Sequence, residues 1–259
     1  MRVDFCRLTL AAATLSLLCL LVPAPAQAQE TPPLPHQHWS FDGVFGTYNP
    51  AALQRGFQVY KQVCSACHPV THLHFRDLAA LGYSAAEVKA IAATDQCSAG
   101  PNAQGQMYQR PCLPADPIPG PFPNEEAARA ANGGALPPDQ SLLVAARAGG
   151  PDYVYAILNG YKPAPAGVTV PPGKYYNEYF PGHLISMPPP LSAGAVTFAD
   201  GTKATVPQMA HDAATFLNWA SHPNLDSRHE MGAKVFLFLI VMVGIFYAAK
   251  RKIWSRVPH

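Results

Sequence analysis

The sequence predicts an all-α body with long irregular insertions, followed by one membrane-crossing helix near the C-terminal end. Three observations carry this reading. Helical stripes recur in the body, first in Leu53, Phe57, Tyr60 and Cys64 and again in Val206, Met209, Ala213, Phe216 and Ala220. Across 259 residues there are 28 prolines and 19 glycines but only 13% charged side chains, which calls for long loops rather than a solvated helical surface. Last, Val235 to Ala249 (VFLFLIVMVGIFYAA) is an uncharged and largely apolar run.

The elements follow in order. Arg2 and Arg7 precede an apolar run from Leu8 to Val22, and Ala26-Gln27-Ala28 offers small residues for cleavage. Residues 1–28 therefore read as a cleaved export signal, and Cys6 and Cys19 would leave with it. A retained anchor is the alternative, opposed by the short run and by Pro23 and Pro25. Residues 29–230 are expected to form the exported body. Within it Asn49 caps a helix with Pro50 at its first position, which places Cys64 at the end of an amphipathic helix. A last soluble helix is expected near Pro207 to Ser221.

Residues 231–252 are expected to anchor the chain in a bilayer. Fifteen helical residues span about 22 Å, short of a hydrocarbon core of roughly 30 Å. Met231 to Ala233 extend the apolar face, Lys234 can snorkel, and Ile253 and Trp254 suit the far interface. Lys250, Arg251, Lys252 and Arg256 form a cytoplasmic stop-transfer cluster, leaving 253–259 as a cytoplasmic tail. The overall net charge of +2 belongs to the two ends. Gln29 to Gly232 holds eleven Lys/Arg against fifteen Asp/Glu, a net charge of −4 that favours a basic partner and excludes nucleic acid.

The chemistry lies in Gln62 to Val70, QVCSACHPV. Two thiols at this spacing can meet two vinyl groups on one porphyrin edge, and His68 follows at once to reach the iron. A zinc site would need two more ligands at knuckle spacing, but Cys97 and Cys112 form no second C-x-x-C pair. A thioredoxin-like dithiol would need a βαβ context, which is missing. The motif occurs once, so one covalently attached haem c is expected on Cys64 and Cys67.

A sixth ligand is sought among Met107, Met187, Met209, Met231 and Met242. Met231 and Met242 belong to the membrane end. Met209 lies on an apolar helical stripe and reads as core. His72 and His74 follow His68 too closely to reach the opposite porphyrin face. Met187 stands in PGHLISMPPPL, where Pro188, Pro189 and Pro190 stiffen an extended backbone. Met187 is the preferred ligand, with Met107 second. His/Met ligation favours the ferrous state and leaves no open position for oxygen chemistry.

Beyond CSACH, the chain resembles the cytochrome c1 family, the haem subunit of quinol–cytochrome c oxidoreductase (cytochrome bc1). The resemblance runs from about His38 to Trp254 through NEEAARAANGGALPPD, ARAGGPDYVYAILNGY, YYNEYFPGHLISMPPPL and DGTKATVPQMAHDAATFLNWA. It implies a cytochrome c-type haem domain, thioethers at Cys64 and Cys67, axial His68 and Met187, and Arg147 beside a haem propionate. Asn132 and Tyr153 would lie near the haem. On sequence alone these three read equally well as a surface arginine, a capping asparagine and a core tyrosine.

Asp139-Gln140-Ser141 departs from the expected Asp-Leu-Ser and places a polar side chain where the family packs an apolar one. Cys97 and Cys112 have no expected counterpart. In an oxidising compartment a bridge between them would contribute about 3 kcal/mol on the chain-entropy model, the alternative being two free thiols.

The resemblance implies an electron relay. A Rieske iron–sulfur protein would be the donor, a soluble c-type cytochrome the acceptor, and cytochrome b the companion in the bilayer. The haem domain would face the periplasm on a single-pass protein of a bacterial cytoplasmic (inner) membrane. Glu125, Glu126 and Asp139 are candidate acidic contacts for a basic cytochrome. A stand-alone membrane-anchored cytochrome c, serving an oxidase or a periplasmic dehydrogenase, is the competing reading.

Overall fold

Asn49 starts the first helix as the sequence requires, its Oδ1 accepting from Ala51 N and Ala52 N at 3.0 and 3.3 Å. The computed structural model describes residues 31–257, so the expected export signal lies outside the described residues. Helix α1 spans Pro50–Gln62 and buries Leu53, Phe57, Val59 and Tyr60. It gives way to a 3-10 turn, Cys64–Ala66. A 3-10 helix, Phe75–Leu81, and α2, Ala85–Ala92, follow, the latter closed by a Ser84/Glu87 capping box. Later come α3 (Glu125–Ala131), α4 (Gly150–Asn159), α5 (Val206–Ser221) and α6 (Leu225–Trp254).

The centre of the body is the crossing of α1 and α5, with α4 packed on α5 as well. Phe216 of α5 lies 5.6 Å from the ring centres of both Phe57 and Tyr60, and Trp219 stacks on Phe216 at 5.9 Å. Met209 is fully buried in a satellite cluster with Val59, Val196, Phe198 and Ala213, in keeping with its reading as core. Gly56 makes the crossing possible. A Cβ there would lie 2.0 Å from Asp212 O and 2.7 Å from Phe216 Cβ, so the two helices meet almost backbone to backbone.

An ion pair pins the same crossing. Arg55 Nε donates to Asp212 Oδ2 at 2.7 Å and Nη2 to Asp212 Oδ1 at 3.1 Å, while Nη1 reaches Asp200 at 2.7 Å. The Asp212 side chain is fully buried. Burial works against its charge, but hydrogen bonds from His211, Arg55 and Gln208 outweigh that and hold its pKa below the ordinary 3.8. A group with a depressed folded pKa stabilises above its unfolded value and loses that contribution as pH falls through the folded one. Asp212→Asn is therefore expected to destabilise the body by about 2 kcal/mol at neutral pH, because it leaves Arg55 Nε and Nη2 against a neutral amide, with Asp200 still paired to Nη1. It should also flatten the loss of stability expected in the parent as pH falls below 3.8. Denaturant unfolding of the detergent-solubilised chain across that pH range checks both.

The insertions are less irregular than the sequence suggests. Residues 93–138 contain an antiparallel hairpin of β1 (Gln96–Ala99) and β2 (Tyr108–Pro111), with Gln96 opposite Pro111 and Ala99 opposite Tyr108. Cys97 and Cys112 are bridged beside it, as expected. Arg110 clamps Asp116 through two hydrogen bonds of 2.6 and 2.9 Å and holds its carboxyl down at about 2. Residues 162–190 carry a second pair, β3 (Tyr175–Tyr176) and β4 (Leu184–Ile185). The regular structure of the body is thus mainly helical, with two short ladders where none was expected.

Helix α6 is 30 residues long, and its apolar side chains from Val235 to Tyr247 stand largely exposed, Phe236 at 67%. Its best window has a mean hydropathy of 2.2, and it is the one helix among the described residues long and apolar enough to cross a membrane.

Candidate haem-attachment site

The attachment turn is rigid before any cofactor is considered. His68 N and Cys67 N both donate to Cys64 O, at 2.9 and 3.0 Å, and Ser65 Oγ donates to Lys61 O at 2.8 Å. Tyr60 Oη, one helical turn back, donates to His68 O at 3.1 Å. A buried side chain of α1 therefore reaches forward and holds the histidine that the motif supplies.

Residues 69–72 are zipped to 138–141. Gln140 N donates to Pro69 O at 2.9 Å, Thr71 N and Oγ1 both donate to Asp139 Oδ2, and Ser141 N donates to Asp139 Oδ1. Ser221 Oγ, at the end of α5, closes on Ser141 O at 3.0 Å. His68 Nδ1 lies 2.8 Å from Pro138 O. That carbonyl only accepts, so Nδ1 carries the proton and Nε2 is left with a free lone pair. Burial pushes the His68 pKa down, against the Pro138 carbonyl and Asp139, which favours the neutral, ligating imidazole.

Cys64 and Cys67 are both unbridged, although the same chain bridges Cys97 and Cys112. Burial, and then the neighbouring Cys67, push the Cys64 thiol up to about 12. A redox dithiol works through a lowered thiol pKa, so this environment opposes that chemistry. Two free thiols and one oriented imidazole on a single turn fit a covalently attached haem.

Met187 is delivered by a separate strap. Tyr161 Oη donates to Met187 O at 3.0 Å, and Lys174 Nζ donates to Ser186 Oγ at 2.7 Å. The strap is fastened to the end of α4, where the buried Asn177 donates through Nδ2 to Ile157 O at 2.8 Å and Glu178 N donates to Gly160 O at 2.9 Å. His183 takes a left-handed conformation, φ 60, to close this turn. Met187 itself is half-buried. Met107, by contrast, is 66% exposed on the far loop of the β1–β2 hairpin.

The three resemblance-based residues fall differently. Tyr153 is on α4 and Arg147 in the turn just before it, close enough that burial raises the tyrosine pKa while the Arg147 guanidinium opposes the shift. Arg147 is exposed. Asn132 is the C-cap of α3, and its Nδ2 donates to Ala128 O at 2.7 Å, which is the capping role the sequence left open. Asp139 is engaged by Thr71 and Ser141, so among the acidic candidates only Glu125 and Glu126, in the exposed first turn of α3, are free to meet a partner. Gln140 is buried, and its Oε1 finds no hydrogen-bond partner, so the polar departure from the family pattern is a real feature of the packing. Sequence reasoning missed Tyr60, Pro138 and Tyr161. Only Tyr60 left a signal, as the stripe residue one turn before the motif.

The chain matches the Cytochrome C1 family over residues 39–257. It is 47% identical to cytochrome c1 of Rhodospirillum rubrum over 259 residues, covering 93% of this chain and 95% of that protein. It is 44% identical to a mitochondrial cytochrome c1 heme protein of Arabidopsis thaliana, covering 85% of this chain and 72% of the relative. Cytochrome b/c1 of Bradyrhizobium diazoefficiens is 48% identical over 243 residues, and there the match spans 85% of this chain but 35% of the longer relative.

Proposed function

Since this chain belongs to the cytochrome c1 family, we propose that it is the membrane-anchored, single-haem electron carrier of a quinol–cytochrome c oxidoreductase. The observation that carries the reading is the turn Cys64–His68, where two unbridged thiols and an imidazole with a free Nε2 are presented together. Bound there, a haem c supplies a one-electron Fe(III)/Fe(II) couple.

The chain's own residues do the rest. Cys64 and Cys67 would attach the porphyrin, and the Pro138 carbonyl fixes the tautomer and ring direction of His68. Met187 would supply a second iron ligand from a strap that Tyr161 holds, and a thioether would favour the reduced state. Arg147 would meet a propionate, with Tyr153 and Asn132 nearby. The chain would accept one electron from a Rieske iron–sulfur protein and release it to a soluble c-type cytochrome. Glu125 and Glu126 offer an acidic surface for a basic acceptor.

Helix α6 would cross the bacterial cytoplasmic membrane as residues 231–252, with the body 29–230 on the periplasmic side and the basic tail 253–259 in the cytoplasm. Tethering keeps the carrier beside its donor, so the first transfer is effectively intramolecular. Isolation of the tagged chain from detergent-solubilised membranes tests this. It should arrive with a di-haem cytochrome b and a Rieske protein, and the preparation should reduce a soluble c-type cytochrome with quinol. A chain that arrives alone and reacts with an oxidase contradicts it.

A further inference from the structure

Two of the most exposed large apolar side chains of the body stand together at one loop tip: Val44 is 73% and Phe45 81% exposed. The loop that carries them is built rather than loose. Thr47 N donates to Ser40 O at 3.0 Å, Gly46 N to Gly43 O at 3.3 Å, and Trp39 N to Asp42 Oδ2 at 3.2 Å. Gly43 turns at φ 75, and a Cβ on Gly46 would lie 2.3 Å from Asp42 O. Trp39, Phe41 and Tyr48, on either side, are buried. A fixed frame therefore holds a valine and a phenylalanine outward, side by side, as a small apolar contact surface.

The loop is clipped to the start of α6. His229 Nδ1 lies 2.7 Å from Gly46 O, and Tyr48 N donates to Asp226 Oδ1 at 3.1 Å. The exposed apolar side chains of α6 begin at Met231 and run on from Val235. At 1.5 Å per residue those positions lie about 3 and 9 Å beyond His229 along the helix. That is the scale of the headgroup layer, roughly 5–7 Å on each side of the hydrocarbon core. The Asp42 carboxylate turns back to Trp39 N, inside the loop frame.

We infer that the Val44–Phe45 tip dips into the outer interface of the bilayer that α6 crosses. It makes a second lipid contact that fixes the tilt of the body over the membrane. The clip to His229, one turn or less before the exposed apolar side chains of α6 begin at Met231, selects lipid rather than a soluble protein as the occupant. The inference rests on α6 being the membrane anchor.

Spin labels on Phe45→Cys, Leu239→Cys and Ala86→Cys test it, in the haem-loaded full chain in phosphatidylcholine vesicles and in the whole complex reconstituted likewise. The reading is the ratio of collisions with oxygen to collisions with a water-soluble nickel chelate. Leu239 on α6 should favour oxygen most, and Phe45 should exceed the exposed Ala86 of α2 at least threefold. A Phe45 ratio equal to that of Ala86, with Leu239 still oxygen-rich, overturns the inference and leaves the anchor intact. A low ratio at Leu239 overturns the anchor reading and the inference with it. Shielding of Phe45 from both reagents in the complex assigns the tip to a companion subunit and overturns the lipid contact.

Discussion

Met187→Leu is expected to lower the reduction potential by a few tenths of a volt, within the roughly 0.8 V that axial ligands span. It should also stop reduction of the soluble acceptor, while Met107→Leu changes neither. Leucine nearly conserves the volume, so the strap that Tyr161 holds through Met187 O should stay in place and only the sulfur is lost. Met107 sits exposed on the loop of a disulfide-tied hairpin, and its replacement removes nothing packed. Redox titration with parallel magnetic spectroscopy separates the two variants. Loss of the low-spin, high-potential signal in Met107→Leu but not in Met187→Leu would reverse the ligand assignment.

Gly56→Ala should be the most damaging small substitution in the body. Helix propensity alone predicts a gain of about 1 kcal/mol for alanine over glycine in a helix interior. The crossing predicts the opposite sign. The added carbon would fall 2.0 Å from the backbone of Asp212, and α5 cannot yield there without opening the Arg55–Asp212 pair and the Phe57–Phe216 contact. A net loss of about 3 kcal/mol is expected, with a lower yield of haem-loaded protein, because α1 carries the attachment turn. Denaturant midpoints and the haem-to-protein ratio measure both. A variant as stable as the parent would show that the helices do not meet this closely.

What could be read in advance was whatever local chemistry dictates. The Asn49 cap, Pro50 and the four-residue stripe fixed the start of α1, and the spacing of Cys64 and Cys67 marked the turn on which the structure holds both thiols unbridged. The three prolines after Met187 marked an extended segment, and there the structure holds Met187 O against Tyr161. What escaped was long-range. Gly56 looks like a helix defect until α5 is placed against it. The partner of His68 is a backbone carbonyl seventy residues away, which no side-chain pattern announces. The β1 strand, Gln96-Cys97-Ser98-Ala99, shows no alternating β-branched run, and a disulfide and the Arg110–Asp116 clamp hold what propensity would not. Asn132 turned on the same point: its amide caps α3, the role that the sequence had left open beside a place near the haem.

The central claim is that one porphyrin is joined to this polypeptide through both thiols of the Cys64–His68 turn. Mass spectrometry of the denatured mature chain, with mapping of its proteolytic peptides, tests that most directly. The account predicts an added mass of a single haem, carried wholly on the peptide that contains Cys64 and Cys67. Unmodified thiols at those two positions, or haem mass on any other peptide, would contradict it.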